Sequence, residues 1–270
     1  MKNKVAIITG ASSGIGKALA YEFGRKGYQL VITGTNDKRI SEVSKTLDEM
    51  NVIYKSLIHD VSKQSENKKM IDLAIETFGR IDVLICNAGI SVRSLFENVD
   101  LDIFKKLFDI NFFGSIYGTK FALPYLIKSK GSIIAISSLN GFIATPTRSS
   151  YVASKHAMQG FYDSLRLELK NKKVHVMVVS PGYVKSNFRV NTLKSDGKKE
   201  GSSTRDDKKM MSARQLAEKI FVGHEKKKRD LIFTFRGKLA HLIKNWFPRL
   251  SDSLAYNEIL NERESLLKDY

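Results

Sequence analysis

The chain has a single cysteine, Cys86, among its 270 residues. A disulfide framework is thereby excluded within it, and a reducing cytoplasm is the expected compartment. Cys86 ends the apolar run 81–86, where a small buried core residue is a simpler reading than a nucleophile. Long apolar stretches are missing too, none approaching the roughly 20 residues that a membrane-spanning helix needs. A strand-like run starts within five residues of Met1, so no signal peptide or N-terminal anchor is expected. Proline is scarce, at four residues, and there is no internal repeat. Acidic residues are outnumbered: 45 Lys and Arg face 28 Asp and Glu, a formal charge of +17. Lysine-rich drift of the surface and attraction to an anionic membrane both account for that excess. Nucleic acid is disfavoured, because no helix-turn-helix, zinc-finger or RNA-binding signature accompanies the charge.

What is present is an alternation of two periodicities. Strand-like runs occur at 4–9, 29–34, 53–59, 81–86, 132–137 and 174–180. Helical patterns fill the gaps at about 14–26, 37–50, 64–78, 100–128 and 150–171. The rhythm predicts an α/β fold: one Rossmann-type, doubly wound parallel sheet of about seven strands, with helices on both faces. A further helix near 212–226 and a strand at 230–235 would close that sheet. Residues 186–212 interrupt the pattern with a long polar stretch rich in turn formers, a length that is usually functional or disordered.

Two constellations carry chemistry. Tyr151 and Lys155 are four residues apart and so share a helix face, and Ser138 lies thirteen residues before the tyrosine. A cation beside a phenol stabilises the phenolate and brings the group into use as a general acid or base near neutral pH. At the start of the chain a β-branched run leads into Gly10, Gly14 and Gly16 and then into a helix. Strand, glycine turn and helix form the setting in which backbone N–H groups and a helix dipole hold a pyrophosphate. The motifs fall where the strands end: Gly10–Gly16 after the first, Asp60 after the third, Asn87 after the fourth, Ser138 after the fifth, Pro181 after the sixth. In open parallel sheets ligands bind beyond that edge.

With Asn87-Ala88-Gly89, Asn111 and Pro181-Gly182, these residues resemble the short-chain dehydrogenase/reductase family over residues 3 to 235. The segments around Ser138, Tyr151 and Pro181 look most like the branch of hydroxysteroid dehydrogenases and membrane-associated lipid carbonyl reductases. The resemblance implies a catalytic set of Asn111, Ser138, Tyr151 and Lys155. In it Tyr151 moves the proton, Lys155 lowers the phenol pKa and binds the nicotinamide ribose, and Ser138 holds the substrate oxygen, with Ser137 the competing serine. Asn111 would support a water relay behind the lysine. The cofactor contacts implied are Gly10, Ser12, Ser13, Gly14, Ile15 and Gly16 at the pyrophosphate and adenosine ribose. Asp60 and Val61 would border the adenine, and Asn87, Ala88 and Gly89 would lie beside the adenosine end. Pro181, Gly182 and Val184 would frame the nicotinamide amide, and Ser186 stands where the family commonly has threonine. The family's substrate lid falls at 186–212, so residues 1–235 form the catalytic domain and 236–270 a C-terminal helical extension.

The nucleotide turns on the end of the second strand, where NAD sites usually place a carboxylate. Thr35 and Asn36 occupy that position, and Asp37 is a late acidic candidate. NADP(H) is therefore favoured over NAD(H), although the arginine commonly used for it is absent. No metal is called for. The expected activity is reduction of an apolar, lipid or steroid-like ketone or aldehyde, or oxidation of the matching secondary alcohol, by a homodimer or homotetramer. A catalytically silent NADP(H)-binding regulator is the competing reading. Residues 237–250 place Leu239, Leu242, Ile243, Trp246, Phe247 and Leu250 on one helical face beside Lys238, Lys244 and Arg249. That stripe suits docking on a membrane, contact with another subunit, or packing on the protein's own core, with Pro248 ending or kinking the helix.

Overall fold

The computed structural model describes residues 3–185, 188–201, 210–262 and 264–268. Seven strands form one parallel sheet in the order β3-β2-β1-β4-β5-β6-β9. They are β1 (Val5–Ile8), β2 (Gln29–Gly34), β3 (Tyr54–Ile58), β4 (Val83–Cys86), β5 (Ser132–Ile136), β6 (His175–Ser180) and β9 (Asp230–Ile232). A two-stranded pair, β7 (Val184–Lys185) with β8 (Met211–Ser212), stands apart from the sheet. The order reverses at β1, which pairs with β2 on one side and β4 on the other, so the crevice expected of a doubly wound sheet opens beyond their carboxyl ends.

The central strands β1, β4 and β5 are buried along their whole length, which is why they read as continuous apolar runs rather than alternating ones. One apolar layer joins the sheet to α1 (Gly14–Arg25), α2 (Asp37–Glu49) and α7 (Ala213–Glu225) through Leu19, Phe23, Val43, Leu47, Leu216 and Ile220. The opposite layer joins it to α3 (Gln64–Phe78), α5 (Gly114–Ser129) and α6 (Ser149–Glu168) through Met70, Ala74, Ala122, Leu126, Met158 and Tyr162. Buried Asp82 registers three central strands at their starts. Its carboxylate accepts from Val5 N–H at 2.9 Å, and its backbone pairs with Val5 and Ser132.

Four features differ from the sequence expectation. The predicted helix over 100–128 is α4 (Leu101–Phe108) and α5 joined by one wide turn of π-helix at Asp109–Phe113. Single π-turns inside helices re-aim side chains and recur at functional sites, and this one carries Asn111. The strand expected at 230–235 stops at Ile232, because Thr234 caps a new helix with its hydroxyl, accepting from Gly237 N–H at 3.0 Å. That helix, α8 (Phe235–Trp246), begins inside the expected catalytic domain, and α9 (Pro248–Leu260) follows it with Pro248 in the first turn. The segment read as a loop at 186–212 contains a hairpin. Thr192 O accepts from Glu200 N–H at 2.8 Å, and Leu193 bridges antiparallel to Lys199. Ser186 lies outside the described residues. Among those described, no helix is long and apolar enough to cross a membrane.

Candidate active site at the carboxyl edge of the sheet

Helix α6 enters the interior with a stripe of buried residues, Tyr151, Ser154, Lys155 and Met158, one helical turn after another. Tyr151 and Lys155 are thus stacked on one face, with the Lys155 ammonium 5.9 Å from the centre of the tyrosine ring. The ammonium donates to Ile136 O at 2.9 Å, at the carboxyl end of β5, and lies 3.4 Å from Met158 Sδ. Burial pulls its pKa from an ordinary 10.5 down to about 8. Burial also pushes the Tyr151 phenol up, while a hydrogen bond with Ser138 and the charge of Arg148 oppose that rise. The Lys155 ammonium, which the sequence reading set beside the phenol, is held at the same time by a backbone carbonyl. A phenol held above its usual range keeps its proton near neutral pH, as a proton donor must.

Of the two candidate serines, Ser138 caps a short helical turn, accepting from Asn140 N–H at 3.2 Å, and is the one that opposes the rise in the Tyr151 pKa. Ser137 is buried, its Oγ 2.6 Å from where a Cβ added at Gly141 would stand. Asn111 is fully buried and saturated: Oδ1 accepts from Ile90 N–H at 2.8 Å, and Nδ2 donates to Ile90 O at 3.0 Å and to Ser154 Oγ at 3.1 Å. Ser154 Oγ in turn donates to Tyr151 O at 2.8 Å. This chain, from π-turn to α6, was not read from the sequence. Its only linear trace was a serine standing next to Lys155. A Cβ added at Gly89 would lie 3.1 Å from Asn111 Oδ1 and 3.7 Å from Lys155 Nζ, so the segment after β4 closes the same group.

The glycine loop is fixed by packing as much as by conformation. Gly10 has φ 65°, and a side chain there would strike the Ala88 backbone at 2.8 Å. At Gly16 a Cβ would sit 2.2 Å from Gly10 O and 2.5 Å from Asn87 Nδ2. Asn87 earns its place through those contacts, donating to Thr9 O at 2.9 Å and Gly10 O at 3.1 Å. Thr9 completes the junction, its hydroxyl accepting from Asn87 and Ala88 N–H, and it too escaped the sequence reading. Ser13 precedes α1 without a side-chain cap, and the first turn has no acidic residue, which leaves the N–H groups of Gly14, Ile15 and Gly16 suited to an anion.

Further out, Thr35 and Asn36 are exposed at the end of β2, where Asn36 caps α2 by accepting from Arg39 N–H at 3.0 Å. Ser12 packs against Gly34, close enough that a Cβ there would meet Ser12 Oγ at 3.1 Å. Asp60 folds back on itself, its carboxylate accepting from Ser62 Oγ at 2.7 Å, and Val61 is buried against Gly114. Pro181 O accepts from Leu139 N–H at 3.2 Å, and Val184 is buried in β7. Gly182 faces Leu139 and Thr234, 3.6 and 3.5 Å from its would-be Cβ. The candidates thus divide into a compact group around Tyr151 and a line of positions along the strand ends. The donors and the glycine approach fit a dinucleotide. No cluster of metal-binding side chains occurs among the described residues.

A doubly wound sheet whose carboxyl edge holds a glycine loop, a buried lysine and a protonated tyrosine defines a nucleotide-dependent oxidoreductase. The family model for short chain dehydrogenases matches residues 4–197, and the chain belongs to that family. Rat dehydrogenase/reductase SDR family member 7B is 35% identical over 273 residues, covering 98% of this chain and 84% of its own. The 11-beta-hydroxysteroid dehydrogenase 1A of Arabidopsis thaliana is 43% identical over 185 residues, 68% of this chain and 53% of that protein. Among solved structures, a short chain dehydrogenase/reductase from Burkholderia phymatum in complex with NAD superposes with a TM-score of 0.83 at 21% identity, covering 93% of this chain and 96% of that one. An alcohol dehydrogenase from Thermococcus sibiricus, complexed with 5-hydroxy-NADP, gives 0.74 at 26% identity, covering 84% and 93%. The chain is an oxidoreductase using a nicotinamide cofactor on CH–OH or C=O groups.

The buried lysine has a measurable consequence. The folded protein releases the Lys155 proton near pH 8, whereas the unfolded chain holds it to 10.5. Stability contributed by this site therefore rises with pH across that window, and the whole penalty is present below it. Replacing Lys155→Met should stabilise the ligand-free protein at pH 7 by about 1–2 kcal/mol, after allowing for the lost hydrogen bond to Ile136. The gain should vanish by about pH 10.5. Urea unfolding at both pH values checks this, and destabilisation at pH 7 would refute it.

Proposed function

We propose that the protein is an NADP(H)-dependent reductase of apolar ketones or aldehydes, working in reverse on the matching secondary alcohols. The observation that carries this reading is Tyr151, a buried phenol one helical turn from the Lys155 ammonium and enclosed by Val92, Leu107 and Leu193. Phe188 adds an aromatic wall, its ring centre 6.1 Å from that of Tyr151. A substrate meeting these groups finds one polar corner in an otherwise apolar setting, which suits a carbonyl on a hydrocarbon body.

A reduced nicotinamide, when bound, would be the source of hydride for a carbonyl substrate. Ser138 holds the carbonyl oxygen, and Tyr151 gives that oxygen its proton. The phenolate left behind is stabilised by Ser138, the Arg148 charge and the Lys155 ammonium. Asn111 keeps α6 in place through Ser154, and so fixes the height of the tyrosine. Gly10 to Gly16, Asn87, Ala88 and Gly89 would hold the pyrophosphate side, Asp60 and Val61 the adenine, and Pro181, Gly182 and Val184 the amide. The hairpin at 190–201 belongs to the substrate lid, and the catalytic unit ends with β9, ahead of α8.

Replacing Tyr151→Phe keeps the ring and removes the proton, so turnover of a bulky alicyclic ketone such as 1-decalone should fall by about 10²–10⁴-fold. NADPH affinity, followed by fluorescence titration, should be unchanged. Retention of most of the activity would sink the mechanism.

For the nucleotide, Thr35 and Asn36 present no carboxylate to a 2′-phosphate, and the Asn36 amide nitrogen remains available because only its oxygen caps α2. NADPH should accordingly give a higher kcat/KM than NADH, and Thr35→Asp should invert the order. A wild-type preference for NADH would overturn this assignment.

The same reading extends to where the substrate comes from. Helices α8 and α9 expose Leu239, Leu242, Trp246, Phe247, Leu250 and Leu254, with Trp246 76% exposed. Residues 235–250 hold four Lys and Arg and no carboxylate. Apolar and aromatic groups beside cations are the make-up of an element lying in a lipid headgroup layer. The helix pair also touches the site: a Cβ at Gly237 would meet Leu139 at 2.7 Å, and Lys244 Nζ lies 3.2 Å from His156 Nε2. Co-sedimentation with anionic phospholipid vesicles should be lost in a Trp246→Ser, Phe247→Ser double variant. Failure of the unmodified protein to bind such vesicles at low salt would remove the membrane and leave contact with a second copy.

A further inference from the structure

Arg93 is a buried guanidinium with no part in the chemistry above, and it joins three segments that are distant in sequence. Its own loop, 90–94, follows β4 and presents Ile90 and Val92 to the apolar cluster around Tyr151. Nη1 donates to Glu200 Oε1 at 2.7 Å, in the returning arm of the 190–201 hairpin. Nη2 donates to the backbone carbonyl of Glu264, beyond the end of α9. The pair with Glu200 is well removed from water, the two side chains being 5% and 10% exposed. The hairpin is also stitched to the loop by backbone: Leu193 N–H donates to Ser91 O and Arg93 N–H to Leu193 O, each at 2.8 Å.

We infer that Arg93 is a positioning residue for the substrate side of the site: it latches the hairpin and the C-terminal strap onto the loop beside Tyr151. The argument rests on what the latch holds. Leu193, in the outgoing arm, packs in the Tyr151 cluster, and Glu200 N–H closes the hairpin on the carbonyl of its neighbour Thr192. Fixing Glu200 therefore fixes the register of the arm that carries Leu193. A buried ion pair contributes little net stability compared with an apolar contact of the same size, but it specifies one geometry, since any other leaves a charge unpaired. The strap adds a second tether nearby, where Arg148 Nη2 lies 3.7 Å from Glu262 Oε2. Arg93, Glu200 and Glu264 line a common cleft of about 790 Å³.

The inference rests on Tyr151 as the reacting group for its kinetic consequence but not for its structural one, and the two are measured separately. Amide hydrogen exchange of the ligand-free protein reads the latch without turnover. In Arg93→Met the amides of Leu193, Glu200 and Gly201 should exchange at least about tenfold faster, while those of β4 and β5 stay within about twofold of wild type, as expected of local opening. Arg93→Lys, which keeps one charged donor, should recover part of the protection, and Glu200→Gln should match Arg93→Met at the hairpin. In the 1-decalone assay Arg93→Met should raise KM with little change in kcat or in NADPH affinity. Unchanged hairpin exchange would overturn the latch, and so would an equal rise throughout the sheet, because that would mark a general stabilising role. Faster hairpin exchange in an enzyme whose Tyr151→Phe variant stayed active would uphold the latch and fail the catalytic reading alone.

Discussion

A cation taken out of water without a carboxylate to face is the constraint around which this site is organised. Lys155 is 4% exposed and makes no ion pair among the described residues. An isolated ammonium in such a place is costly, and its pKa falls accordingly. The surrounding structure answers with a strand-end carbonyl from β5, a methionine sulfur and the underside of a tyrosine ring. Those partners exist only if α6 is held at one depth beside the carboxyl end of β5. The Asn111–Ser154–Tyr151 chain and the π-turn that delivers Asn111 are the means by which that depth is held. Instability is thus concentrated where the chemistry is, as happens when a site is kept ready for a charge that changes during reaction.

Both halves of the site are served by close backbone approach. Gly10, Gly16, Asn87 and Thr9 lock the turn after β1 to the turn after β4, tying the start of α1 to the segment leading to Ile90. From Ile90 the chain continues to Val92 and Arg93, which face the hairpin and the strap. The line from the glycine loop to the 190–201 hairpin is therefore continuous in the chain for only a few residues at a time. Hydrogen bonds between neighbouring strand ends carry it the rest of the way.

Much of this was legible in the sequence, and the reasons are specific. The central strands β1, β4 and β5 were readable because a sheet covered on both faces is written there in unbroken apolar runs, whereas edge strand β3 is polar and half exposed. Tyr151 and Lys155 declared themselves by a helical repeat, and the glycine loop by its place between strand and helix. Asn111 was recognised by resemblance alone, and its actual work, bracing Ile90 and Ser154, was hidden because its partners lie 21 and 43 residues away. The spacing of Tyr151 and Lys155 placed the two groups on one face but said nothing of the Ile136 carbonyl that the ammonium also meets.

By itself the sequence determined the class of fold, the edge of the sheet at which ligands gather and the residue types gathered there. These follow from local periodicity and from the turn each strand leads into. Only the tertiary structure decided which serine meets Tyr151, what the Lys155 charge faces, and that a hairpin inside a polar segment is tied by Arg93 to a strap from the far end of the chain. The physical reason is the same in each case. Burial and charge pairing depend on atoms brought together across the sheet, and nothing in the linear order of residues states those distances.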